Sequence, residues 1–153
     1  RIQQALGLTP IRSDEDMLRL VERRMPVKVI ESLMRCGLEA DEVYSLILPQ
    51  RTLSHRKTRK EPLSAEESDR ALRIARTLAL AETVFGDHDK ALNWLRKPKR
   101  HYAGRSPLEM LATETGGRLV EEVLYQIDLS VCRIVDSIVL LFQHKNPMFV
   151  VLS

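Results

Sequence analysis

Apolar residues recur at steps of three and four through most of the chain, and capping residues punctuate the recurrences. Ser13 precedes a stretch carrying Met17, Leu18, Leu20 and Val21, with Asp14, Glu15 and Asp16 in the first turn, which predicts a helix. Pro26 opens a second segment, whose stripe of Val27, Ile30, Leu33 and Met34 ends at Gly37; Ala40, Val43, Tyr44 and Ile47 form a third, ending near Pro49. QRTLSHRKTRKEP follows as a helix in which Leu53 is the only aliphatic residue. After Pro62, Ser64 as cap and Glu67 as its box partner predict the sharp start of a long helix from Ala65 to about Phe85. Ala71, Ile74, Ala75, Leu78, Ala81 and Phe85 lie along one of its faces, and Leu72, Ala79 and Leu80 widen the apolar surface. At about 1.5 to 3 kcal/mol for each large side chain buried, this helix is the expected spine.

From Phe85 to Asp128 the pattern predicts three short helices. Asp87 caps one with Ala91, Leu92, Trp94 and Leu95, stopped by Pro98. Ser106, Pro107 and Glu109 form the cap, first position and box of a second, which Gly116 and Gly117 are expected to end. Val120, Val123, Leu124 and Ile127 make the third, beginning after Gly117. Beyond it, Val131, Ile134, Ile138 and Leu141 continue a heptad-like seam from Val120, favouring a long final helix toward Phe142. The β-branched runs Ile134 to Val139 and Phe149 to Val151, with a turn at Lys145-Asn146-Pro147, also fit a hairpin. Arg133 and Asp136 interrupt the apolar run, which is too short to span a bilayer.

Composition agrees with helix. The chain of 153 residues is 44% hydrophobic and only 5% aromatic, and Leu, Ala, Arg and Glu dominate, so the expected class is all-α in one compact domain or two small ones sharing a core. Cys36 and Cys132 match no metal spacing and suit a reducing compartment. The sequence begins at Arg1 without a methionine, and RIQQALGLTPIRSDED lacks the apolar centre of a secretion signal, so the expected location is cytoplasmic.

A net charge of +3 says little by itself; its distribution says more. Arg51, Arg56, Lys57, Arg59 and Lys60 meet no acid until Glu61. A helix, a tight turn and a second helix of this composition is the arrangement that lays the second helix in the DNA major groove. Arg51, Arg56, Lys57 and Arg59 suit phosphates or guanine, Gln50 suits adenine, and Thr52 and Ser54 can reach phosphate or base edges. On periodicity alone a solvated basic helix is the simpler reading. RKPKRHYAGR is a second basic cluster, containing Tyr102, open to DNA phosphates, an acidic protein surface or solvent. Trp94 reads as a core anchor. Asp87, His88 and Asp89 lack the partners that a metal site needs, His55, His101 and His144 stand in unrelated contexts, and no phosphate loop or nucleophile elbow occurs. No catalytic residue, metal or cofactor is expected.

FGD, then A-L-N-W-L with its following proline, then S-P-L-E-M-L-x-T-E-x-G and V-E-E-V-L resemble the toxin-binding domain of the Xre/MbcA/ParS antitoxins, and the likeness extends upstream through RTLSHRKTRKEPLSAEESDR. The resemblance implies an Xre-like helix-turn-helix region at 1–63, a connecting helix at 64–86, a toxin-binding helical domain at 87–128 and an atypical extension at 129–153. It implies an antitoxin holding a RES-domain, NAD-degrading toxin inactive by occluding its active site, and regulating its own operon as a DNA-bound homodimer. In such antitoxins the last helix usually meets a glycine and a short tail reaching toward the toxin's NAD site; here LSVCRIVDSIVLLFQHKNPMFVVLS follows instead. From Leu108 to Asp128, Glu109, Glu114, Glu121, Glu122 and Asp128 face only Arg118, so the acidic end is the expected toxin surface: Glu121, Glu122, Tyr125, Gln126, Asp128, Leu129 and Arg133. The alternative is a stand-alone helix-turn-helix transcriptional regulator whose C-terminal domain serves dimerisation.

Overall fold

The computed structural model describes residues 13–145, without the side chains of residues 14, 17, 20 and 131–145. The described part is all-α, in the order α1 Asp14–Glu22, α2 Lys28–Arg35, α3 Ala40–Leu46, α4 Gln50–Arg59, α5 Ala65–Phe85, α6 His88–Arg96, a 3-10 turn Arg100–Tyr102, α7 Pro107–Met110 and α8 Glu114–Lys145. The caps act where the sequence puts them. Ser13 accepts from the Asp16 amide, Asp87 from Lys90, and the pairs Ser64/Glu67 and Ser106/Glu109 cap reciprocally. The long helix α5 closes on Gly86, whose φ of 65° is the left-handed turn that glycine takes without strain.

One hydrophobic core runs through the whole fold. Val29, Ile30 and Leu33 of α2, Val43 and Leu46 of α3, and Leu53 of α4 join Ala71, Ile74, Ala75 and Leu78 of α5. Ala91, Leu92 and Leu95 of α6 and Val120 and Leu124 of α8 extend it. The spine α5 packs against α1, α6 and α8. Its apolar face also buries Ser68, Arg73 and Thr77.

Two expectations are corrected. Gly116 and Gly117 do not end the second short helix: α7 stops at Met110, and both glycines sit in the first turn of α8, neither with a positive φ. Thr113 caps that turn, its hydroxyl accepting from the Gly116 amide and its carbonyl from Gly117. The glycines are there for space. A Cβ on Gly116 would stand 2.0 Å from the Met110 carbonyl oxygen, and one on Gly117 would stand 2.8 Å from Cδ of Arg73. The hairpin alternative fails over Ile134 to Val139, because α8 continues as helix to Lys145; Phe149 to Val151 lie outside the described residues. At 32 residues α8 is about 48 Å long. Of its seam, Val120 and Leu124 are buried and Ile127 half-buried.

Candidate functional site

α3, the turn Ile47–Leu48–Pro49 and α4 form the helix-turn-helix. Ile47, Leu48 and Leu53 are buried, and Arg70 of α5 donates to the Ile47 carbonyl, so the turn is fixed to the spine. This leaves one side of α4 outward. Gln50, Arg51 and Ser54 are exposed there, and Thr52 is half-buried. Arg59 is exposed, at the edge of that face and 3.9 Å from Glu61. Arg56 is different: its guanidinium donates to the Pro62 carbonyl at 3.0 Å and lies 2.9 Å from Glu67, so it ties α4 to the start of α5. Lys57 lies 2.8 Å from Glu31 and holds that carboxyl below its ordinary value, chiefly by its hydrogen bond; both groups are exposed, so the pair is a weak tie. The sequence reading overlooked His55 and Thr58, which share the exposed arc with Arg51 and Ser54 because all four fall within one side of two helical turns.

The surface expected at the other end is also only partly assembled. Tyr125 (55% exposed) and Leu129 (64%) stand on α8 with exposed Glu122 and Gln126, and Leu119 (43%) extends the row. Leu119 had the signal of an i, i+3, i+7 match to Glu122 and Gln126. Glu121 points elsewhere, 2.7 Å from Arg76 of α5. Glu114 pairs with Arg73, and Glu109 closes the box at Ser106. Of the five acids counted in the sequence, Glu122 and Asp128 alone have no ion pair or cap among the described residues, so the acidity of this end is smaller than the composition implied. Asp128 is exposed; the side chain of Arg133 lies outside the described residues.

Three arginines tie the two regions together. Arg73, 7% exposed, donates to Glu114 at 3.0 Å, to the Leu111 carbonyl at 3.0 Å and to Asp69. Arg76 holds Glu121 one turn further on. Arg96 of α6 reaches back to Glu42 of α3 at 2.6 and 2.9 Å and to the Gly37 carbonyl at 2.8 Å. Burial pushes the Glu42 carboxyl up, but Arg96 and the Glu39 amide outweigh it and hold the pKa below the ordinary value.

The loop after α6 is anchored by Tyr102, whose buried ring sends its hydroxyl to the Leu119 carbonyl at 3.3 Å; burial pushes that phenol up. Trp94 is half-buried, 5.6 Å from the Phe85 ring, with Lys99 Nζ 5.0 Å above its own ring. His88 meets Glu82 rather than Asp87 or Asp89, and among the described residues no cluster of His, Cys, Asp and Glu could hold a metal ion. Among the described residues no helix is long and apolar enough to cross a membrane.

Residues 16–76 match a family model described as the antitoxin Xre-like helix-turn-helix domain, and residues 80–128 match the antitoxin Xre/MbcA/ParS C-terminal toxin-binding domain. The two matched regions meet inside α5. The chain is 37% identical over 127 residues to an "Antitoxin Xre" of Pseudomonas putida, covering 83% of this chain and 80% of that protein. An "Antitoxin Xre" of Yersinia enterocolitica is 34% identical over 82 residues, covering 53% and 55%, and one of Photorhabdus laumondii is 27% identical over 122 residues, covering 78% and 82%.

Proposed function

Because the chain belongs to the Xre antitoxin family, with a helix-turn-helix domain and a toxin-binding domain, we propose that its partner is a RES-domain, NAD-degrading toxin whose active site it occludes with α8. The observation that carries this reading is the exposed row Leu119, Tyr125 and Leu129 on a helix whose first turns are anchored to the core through Val120 and Leu124, since large apolar side chains held on an anchored helix mark a contact surface. Glu122, Gln126 and Asp128 rim the row and set its polarity. The outward side of α4 supports operator binding, with Arg51 and Arg59 on phosphates and Gln50 and Ser54 near base edges. Two half-sites require two copies, so the DNA-bound form is a homodimer in this reading. The direct test purifies the chain with the RES-type protein that this reading expects to be encoded beside it and follows NAD loss. Tyr125→Ala with Leu129→Ala should release the toxin's activity while the variant still melts like the parent and still shifts promoter DNA. Truncation after Gln126 should do the same. Full protection of NAD by the double variant would move the blocking surface elsewhere.

A further inference from the structure

We propose that the loop from Lys97 to Arg105 is a second DNA-contacting element that grips the phosphate backbone beside the groove entered by α4, an inference that rests on reading α4 as the DNA-contacting helix. Charge pairing is the first observation. Most basic side chains of the described helices have an acid in reach: Arg19 with Glu15, Arg56 with Glu67, Lys57 with Glu31, Arg73 with Glu114, Arg76 with Glu121 and Arg96 with Glu42. Lys97, Lys99, Arg100 and Arg105 form no ion pair among the described residues. Acids lie around the loop without pairing to it: Arg105 adds to the lowering of Glu109, behind that carboxyl's hydrogen bonds to Ser106, Glu122 acts on Tyr102, and Glu39 and Glu42 are held by Arg96.

The loop is also built rather than loose. The Lys99 amide donates to the Arg105 carbonyl and the Gly104 amide to the Lys99 carbonyl, both bridging the loop, while Tyr102 plugs it into the core. Ala103 takes a φ of 55°, a left-handed conformation that an alanine enters at a cost, so the fold imposes this shape. Charges displayed on a preformed loop bind without the backbone-ordering cost that a loose loop would add.

Placement decides the partner. At one end Arg96 bonds Glu42 and the Gly37 carbonyl beside the start of α3; at the other, Ser106, Leu108 and Glu109 share a groove of about 330 Å³ with Ser45 and Leu46 at the end of α3. The loop therefore leaves and rejoins the body alongside α3, the helix that crosses the DNA backbone in such a pair. α3 itself carries Asp41 and Glu42 and no cation, so phosphates passing it must be neutralised from a neighbouring element.

The test is Lys97→Ala, Arg100→Ala and Arg105→Ala in the full chain, titrated across a salt series against a duplex of its own promoter region and an unrelated duplex of equal length. Three lost phosphate contacts should flatten the slope of log affinity on log salt by about 2.7, weakening both duplexes by the same factor. Arginine at Lys97 with lysine at Arg100 and Arg105 should restore the parental slope. Should the triple variant fail to fold, Arg100→Ala and Arg105→Ala alone, both exposed, should each lower the slope by about 0.9. A parental slope in the variants, with Arg51→Ala still weakening binding, overturns this inference and leaves α4 standing. A parent that binds neither duplex overturns the reading of α4 and this inference with it. Parental DNA binding with loss of the toxin complex assigns the loop to an acidic protein surface instead.

Discussion

Replacing Gly116 by alanine tests whether close backbone approach fixes the entry of α8. The added Cβ would meet the Met110 carbonyl oxygen at 2.0 Å, and that oxygen belongs to the main chain. Ordinary contact requires the carbonyl to recede by roughly 1.5 Å, which displaces the end of α7 and the adjoining Leu111, itself fully buried. Overpacking of this kind costs about 1 to 3 kcal/mol, and the backbone origin of the clash puts it near the top of that range. Alanine regains up to about 1 kcal/mol of helix propensity, leaving a net loss of about 2 kcal/mol. In a chain of this length that lowers the melting temperature by about 4 to 8 °C, read by circular dichroism. Gly86→Ala is the contrast: nothing lies within 4 Å of its Cβ, so only its φ of 65° opposes it, at about 1 kcal/mol. If Gly116→Ala melted at or above the parent, or Gly86→Ala cost more, the close approach of α8 to Met110 would be refuted.

Arg51→Ala with Arg59→Ala should weaken DNA binding and flatten its salt slope by about 2, whereas Arg56→Ala should lower stability by about 2 kcal/mol by removing the charge-assisted contact to the half-buried Glu67, which keeps the Ser64 amide; gel shifts and urea denaturation separate the two. Glu42 titrates below its ordinary 4.5 when folded, so its stabilisation is present above that value and is lost as pH falls through the folded pKa. The melting-temperature gap between parent and Glu42→Gln should therefore be widest near neutrality and close progressively below pH 4.5, and a gap constant with pH would show that the Arg96 contact carries no net charge coupling.

Local signals made most of the fold readable. Ser13, Ser64, Asp87 and Ser106 are short-range instructions, and each caps the helix that its neighbours suggested. A Gly-Gly step looks like a reversal in one dimension, while what requires these glycines is the Met110 carbonyl folded back across a six-residue turn and the Arg73 side chain from α5. The surfaces were harder for the same reason. Arg56 and Glu121 look free in sequence and are claimed by Glu67 and Arg76, residues 11 and 45 positions away. Charge counts along a segment cannot register such long-range partners, whereas Tyr125 and Leu129, named from charge and resemblance, stand exposed on α8, and Gln50, Arg51 and Ser54 stand exposed on α4.

The crossing arginines bear on inheritance. A genetic exchange between two relatives at the junction of the matched regions, inside α5, would keep the helix continuous and leave its caps intact. It would still seat Arg73 of one parent against residues 114 and 117 of the other, and residue 96 of one against residue 42 of the other. Recombinants in which those positions disagree would carry an intact helix-turn-helix domain and an intact toxin-binding domain with mismatched contacts between them. The two halves are therefore expected to descend together, diversifying as a matched pair rather than as exchangeable parts.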